Sequence, residues 1–125
     1  MNTNLYDRAL GVLRRGTRPH YVYFIVSRED AVKIGTTTDP DARLMALRND
    51  NTKRPLFVDG SDLRLLGWVE GDHELETLLH RAFADYRIVG EWFSYPDIEQ
   101  AIRQLLNLSC LCRGCQMERT NLAHL

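Results

Sequence analysis

Long apolar runs, internal repeats and low-complexity tracts are all missing from this 125-residue chain. No stretch approaches the roughly 20 apolar residues that a membrane-spanning helix needs, so the expectation is a protein without a membrane partner. The opening residues, MNTNLYDRALGVLRRG, lack the uninterrupted apolar core of a secretory signal, because Asp7, Arg8, Gly11 and Arg14 break it. The cytoplasm is therefore the expected compartment. Cysteine is scarce: three residues, all between positions 110 and 115. A reducing cytoplasm argues against joining them in a disulfide. A dominant charge is missing too, since the formal net charge is −1, and this does not advertise nucleic-acid binding. What is present is an average soluble composition, 44% hydrophobic and 26% charged, which excludes disorder. The length suits one domain with an ordinary core.

The charge is uneven along the chain. Arg8, Arg14, Arg15 and Arg18 fall in a segment without acids, and Arg43, Arg48, Lys53 and Arg54 face Asp50 alone. The acids gather from Asp59 to Glu76. A phosphate-binding face needs a local positive patch rather than a basic whole.

Residues 5 to 15 read as a short amphipathic helix with Leu5, Leu10 and Leu13 on its buried side. Tyr21 to Val26 is continuously apolar and rich in β-branched and aromatic residues, as in a strand covered on both faces. Ser27 to Asp30 is a polar turn, and Ala31 to Gly35 returns as an antiparallel partner. Asp39-Pro40 supplies an N-cap acceptor and a proline at the first helical position, predicting a helix to about Arg48. A long polar connection over 49–61 leads to a third strand, Leu63 to Val69. Leu75, Leu78, Leu79, Ala82 and Phe83 predict a helix over 72–85. GEWF predicts a short extended segment, with Trp92 and Phe93 in the core. Ile98, Ala101, Ile102, Leu105 and Leu106 predict a last helix opening near Ser94 and Pro96. The fold class is α+β: a small three-stranded antiparallel sheet flanked by helices, with extra N-terminal and C-terminal helical segments. The expected division is an N-terminal helical extension (1–19), a main domain (20–107) and a cysteine-containing tail (108–125).

Some polar residues are not explained by a core. Lys33 interrupts a segment otherwise suited to burial, so its ammonium needs a wet cleft or a partner. It shares a face with Tyr23 only if an odd-length turn or a bulge sets the register. In that case it is expected to favour the phenolate and make Tyr23 a usable base. Arg43 has no acid at i+3 or i+4, leaving its fork of donors for solvent or a phosphate. Glu76 lies about 100° round its helix from Leu75, on the flank and in line with His80. It either points into a cleft or forms an exposed pair with His80.

YVYFIV, then KIG ten residues on, then Arg43, resembles the signature of the GIY-YIG nuclease superfamily. ELETLLHRAFADYRIVGEWF resembles the later part of a phage and bacterial branch with a Lys-Ile-Gly second motif. The resemblance implies a GIY-YIG-like domain that hydrolyses DNA phosphodiesters with one Mg²⁺ or Mn²⁺ ion held by Glu76. It implies catalytic roles for Tyr23, Lys33, Arg43 and Glu76, and Tyr21, which stands where the first motif has glycine, is a further catalytic candidate. Arg48, Lys53, Arg54, His80 and Arg87 are the candidate DNA contacts. The sequence departs from the pattern in lacking the histidine or tyrosine that follows the arginine, and in having Glu91 near the place of a late asparagine. The competing reading is a non-catalytic DNA-binding or protein-interaction module, such as a phage regulator or counter-defence protein. Cys110, Cys112, Cys115 and His124 would supply a Cys₃His zinc set, but the spacing is tight for one. Free thiols in a tail or an oligomer contact, including a homodimer, are the preferred reading.

Overall fold

The computed structural model describes residue 5 and residues 19–109. The expected N-terminal helix lies outside these apart from Leu5, which is 60% exposed rather than buried. Cys110, Cys112, Cys115 and His124 also lie outside the described residues.

Strands β1 (Tyr21–Ser27) and β2 (Ala31–Thr37) form the expected hairpin. Ser27 pairs with Ala31, which leaves a turn of Arg28, Glu29 and Asp30. Arg28 (φ 53°) and Glu29 (φ 64°) are both left-handed, a conformation that costs about 1–2 kcal/mol for each residue with a side chain. Ion pairs from Arg28 to Asp62 and from Glu29 to Arg64 tie this turn to the start of the third strand. The odd turn puts Tyr21, Tyr23 and Ile25 on the same face as Lys33 and Gly35. That is the register in which Lys33 and Tyr23 share a face.

Asp39 caps helix α1 (Pro40–Asn49) by accepting the Ala42 N–H at 3.1 Å. The long connection that follows holds two 3₁₀ turns, Asn51–Lys53 and Gly60–Asp62, each opened by an aspartate side chain. Strand β3 (Leu63–Glu70) pairs with the outer side of β1, with a register shift opposite Phe24 and Ile25. Helix α2 (His73–Ala82), capped by Asp72, ends at Phe83. Strands β4 (Arg87–Val89) and β5 (Trp92–Ser94) and helix α3 (Tyr95–Ser109) complete the fold.

The sheet is antiparallel, ordered β3-β1-β2-β5-β4, so it has five strands rather than the expected three. The two additional strands have three residues each, too few to show an alternating pattern. Gly90, at φ 55°, lets the chain reverse between them.

One sheet face packs Val22, Phe24, Val26, Val32 and Ile34 against Leu79 of α2, Phe83 just after it, and Ile98 and Ile102 of α3. The other packs Tyr23, Ile25, Leu63 and Trp92 against Leu47 and Val58. Each large aliphatic or aromatic side chain buried this way contributes about 1.5–3 kcal/mol. This two-sided cover is why β1 is apolar throughout. Helix α2 departs from its expected stripe. Leu78 is 55% exposed, while Glu76 is only 6% exposed and occupies the inward line with Leu79 and Phe83. The helix is rotated toward a carboxylate, which a count of leucines does not reveal. Among the described residues no helix is long and apolar enough to cross a membrane.

Arg48 and Arg54 fix the connection after α1. Both Nε and Nη2 of Arg48 donate to the Leu63 carbonyl, at 3.1 and 2.7 Å. Arg54 Nη1 donates to the Leu47 carbonyl and, at 3.0 Å, to that of Arg48. Arg54→Ala should therefore cost about 1–3 kcal/mol by stranding helix-end carbonyls. Urea denaturation checks this; weaker DNA binding at unchanged stability would contradict it.

Candidate active site

Tyr23 is the centre of the site. It points from β1 across β2, where Gly35 lies directly opposite. A Cβ at position 35 would press on the Tyr23 hydroxyl and lie 2.7 Å from the ring carbon that bears it. The glycine of KIG is thus the space into which the tyrosine fits. Tyr23 is 2% exposed. Burial pushes its hydroxyl far above the ordinary tyrosine value; the Arg43 charge opposes this, and the Glu91 and Glu76 charges add to it. Residues from α1, α2 and the β4–β5 turn therefore all act on one hydroxyl.

The expected activation of Tyr23 by Lys33 is not what the structure contains. Lys33 Nζ donates to Glu91 Oε2 at 2.9 Å, and its charge lies 5.9 Å from the Trp92 ring centroid. Tyr23 is consequently a neutral phenol near pH 7, a hydrogen-bond donor rather than a ready base. Its raised pKa stabilises the fold fully below the unfolded value of about 10, and this contribution is lost as pH rises toward the folded value. Tyr23→Phe should therefore lose stability less steeply above about pH 10 than wild type. Equilibrium unfolding across alkaline pH measures this, and parallel curves would contradict it.

Glu76 is buried rather than paired on an exposed surface. Its carboxylate lies 3.6 Å from His73 Nδ1 and 3.7 Å from His80 Nε2. The latter nitrogen is committed elsewhere: it lies 2.8 Å from the Ile34 carbonyl, which can only accept, so Nε2 carries hydrogen. The ring also packs against Phe93, with centroids 5.1 Å apart.

Glu91 is the residue that sequence reasoning left out of the site. Burial pulls its carboxyl upward, but the Lys33 hydrogen bond and charge outweigh that. The group ends below the usual carboxylate range. Its place between a turn glycine and two buried aromatics was a signal of an anchored position. Its contact with Lys33 spans 58 positions and was not readable locally.

Glu76 and Glu91 act on each other as neighbouring carboxyls, and a proton or a cation between them relieves their repulsion. Glu76 and Glu91 fit a divalent ion in that respect. Among the described residues no three His, Cys, Asp or Glu side chains form a metal-ligand set. An ion here would take most of its ligands from water and phosphate, as Mg²⁺ commonly does.

The other expected residues are placed as follows. Tyr21 is half-buried at the start of β1, edge-on to Trp68. Arg48, Arg54 and His80 donate to backbone carbonyls. Lys53 is exposed, and Arg87 is exposed with its guanidinium 5.4 Å from the Phe93 ring centroid.

The T5orf172 domain matches residues 20–110, most of the chain. The chain belongs to the T5orf172 domain family. This is a phage-associated domain related to a nuclease-like fold family, and membership points to a nuclease-related, DNA-interacting role. The match covers every described strand and helix and all of the residues around Tyr23. No curated protein and no solved structure matches the chain.

Proposed function

We propose that this T5orf172 protein is a DNA endonuclease of GIY-YIG type that hydrolyses phosphodiester bonds with a single Mg²⁺ or Mn²⁺ ion. The observation that supports this most is the buried Glu76 carboxyl beside Glu91, with Tyr23 and Arg43 acting at the same place. Glu76, with Glu91 beside it, would hold the ion. A divalent ion there supplies charge for a phosphoryl oxygen and lowers the pKa of water. Arg43 binds the phosphate and stabilises the charge that builds on it. Tyr23, held over Gly35, donates its hydrogen bond to a phosphate oxygen or orients the attacking water. Lys33 keeps Glu91 ionised and in place.

One observation favours a second reading, a non-catalytic DNA-binding or protein-interaction module. Lys33 already neutralises Glu91, so the site is partly charge-balanced without an ion. Conversion of supercoiled plasmid to nicked circles by the full chain, in Mg²⁺ or Mn²⁺ and in EDTA, separates the two. Metal-dependent nicking is expected. DNA binding without nicking in any metal would leave the second reading.

A further inference from the structure

We infer that Trp68 and Tyr21 form a stacking platform for an unpaired nucleobase, so that the site takes single-stranded or locally unpaired DNA. The inference rests on the DNA-cleaving reading and gives it a substrate class. Trp68 is 46% exposed, whereas the chain's other tryptophan, Trp92, is 3% exposed in the core. A single exposed aromatic is ordinary. This one is placed. Trp68 is the register partner of Tyr23 on the outermost strand, so its side chain rises on the Tyr23 face of the sheet.

Tyr21, two residues before Tyr23 on the same face, meets the indole edge-on. The ring centroids are 6.5 Å apart and the planes cross at 73°. That geometry is a favourable aromatic contact, and it holds the indole in one orientation while leaving nearly half the residue in water. Adjacent strands lie about 4.8 Å apart, so Trp68 on β3 stands two strand spacings, about 10 Å, from the Tyr23 hydroxyl over Gly35 on β2. Bases inside a duplex are stacked on both sides and offer no free face to the ring. Only an unpaired base does.

The test uses the full chain as Glu76→Gln in EDTA, so that binding is read without cleavage. Fluorescence anisotropy of labelled oligo-dT and of a blunt duplex of equal length gives the affinities. The unlabelled oligo-dT is expected to quench the Trp68 emission, because Trp92 is out of reach. Trp68→Ala should weaken oligo-dT binding about tenfold, as loss of one stacked base does, and change duplex binding by less than about twofold. Trp68→Phe should keep oligo-dT affinity within about threefold of the parent, which separates stacking from loss of fold. Oligo-dT binding that Trp68→Ala leaves unchanged overturns the platform but leaves the DNA-cleaving reading standing. Equal weakening for duplex and single strand also overturns it. So does a change of oligomeric state, seen by sedimentation, with no change in oligonucleotide affinity. Failure of every DNA to bind overturns the functional reading and the platform with it.

Discussion

Glu76→Gln abolishes metal-dependent nicking, with a loss of at least about 10³-fold, while the chain stays folded and binds DNA. The substitution is nearly isosteric and removes the charge that would hold the ion. A 10³-fold loss corresponds to about 4 kcal/mol of transition-state stabilisation, which is reasonable for removing a cation from phosphoryl charge. The buried position makes the effect one-sided. An exposed carboxylate is easily replaced by water or a neighbour, but Glu76 is enclosed on the inward line of α2 with Glu91 beside it as a second carboxyl. Nicking and anisotropy measured on the same preparation check the prediction. A loss of less than about tenfold would mean that Glu76 does not carry the chemistry.

Gly35→Ala has the next largest effect, and it acts through Tyr23. The added methyl lies 2.7 Å from the Tyr23 Cζ and 3.0 Å from its Cε1, so the ring must move. It has little room, being enclosed with Ile25, Leu47 and Trp92. Overpacking of this kind costs about 1–3 kcal/mol. A fall of roughly 4 °C in melting temperature accompanies each kcal/mol in a domain of this size. Nicking should fall further than stability alone explains, because the hydroxyl leaves the place where Arg43 and Glu76 act on it. Melting curves and nicking rates below the transition separate the two effects. A stable, fully active Gly35→Ala chain would show that the tyrosine is not held against position 35.

The first half of the candidate site was readable because it is local. An apolar strand, a polar turn and a proline-capped helix place Tyr23, Lys33 and Arg43 in sequence order on adjacent elements. The turn length decided the register, and the need for an odd turn was clear. That the turn is odd was not, since Arg28 and Glu29 adopt left-handed conformations usually left to glycine or asparagine. The second half depends on rotations and long-range pairs. The leucines of α2 define a broad stripe, and only packing against β2 and Phe93 decides that Glu76 turns inward and Leu78 outward. Lys33 was singled out correctly as a residue in need of a partner, but the partner lies on a three-residue strand hairpin with no periodicity to reveal it. The expected effect of Lys33 on Tyr23 failed for the same reason: its charge is engaged by Glu91, and burial then dominates the tyrosine.

Mn²⁺ titration of the full chain, followed by electron paramagnetic resonance of the free ion, tests the central claim most directly. Wild type is predicted to bind one ion per chain, and Glu76→Gln to lose that binding while keeping its circular dichroism spectrum. One Mn²⁺ bound equally well by both proteins would contradict the assignment of Glu76 as the anchor of the site.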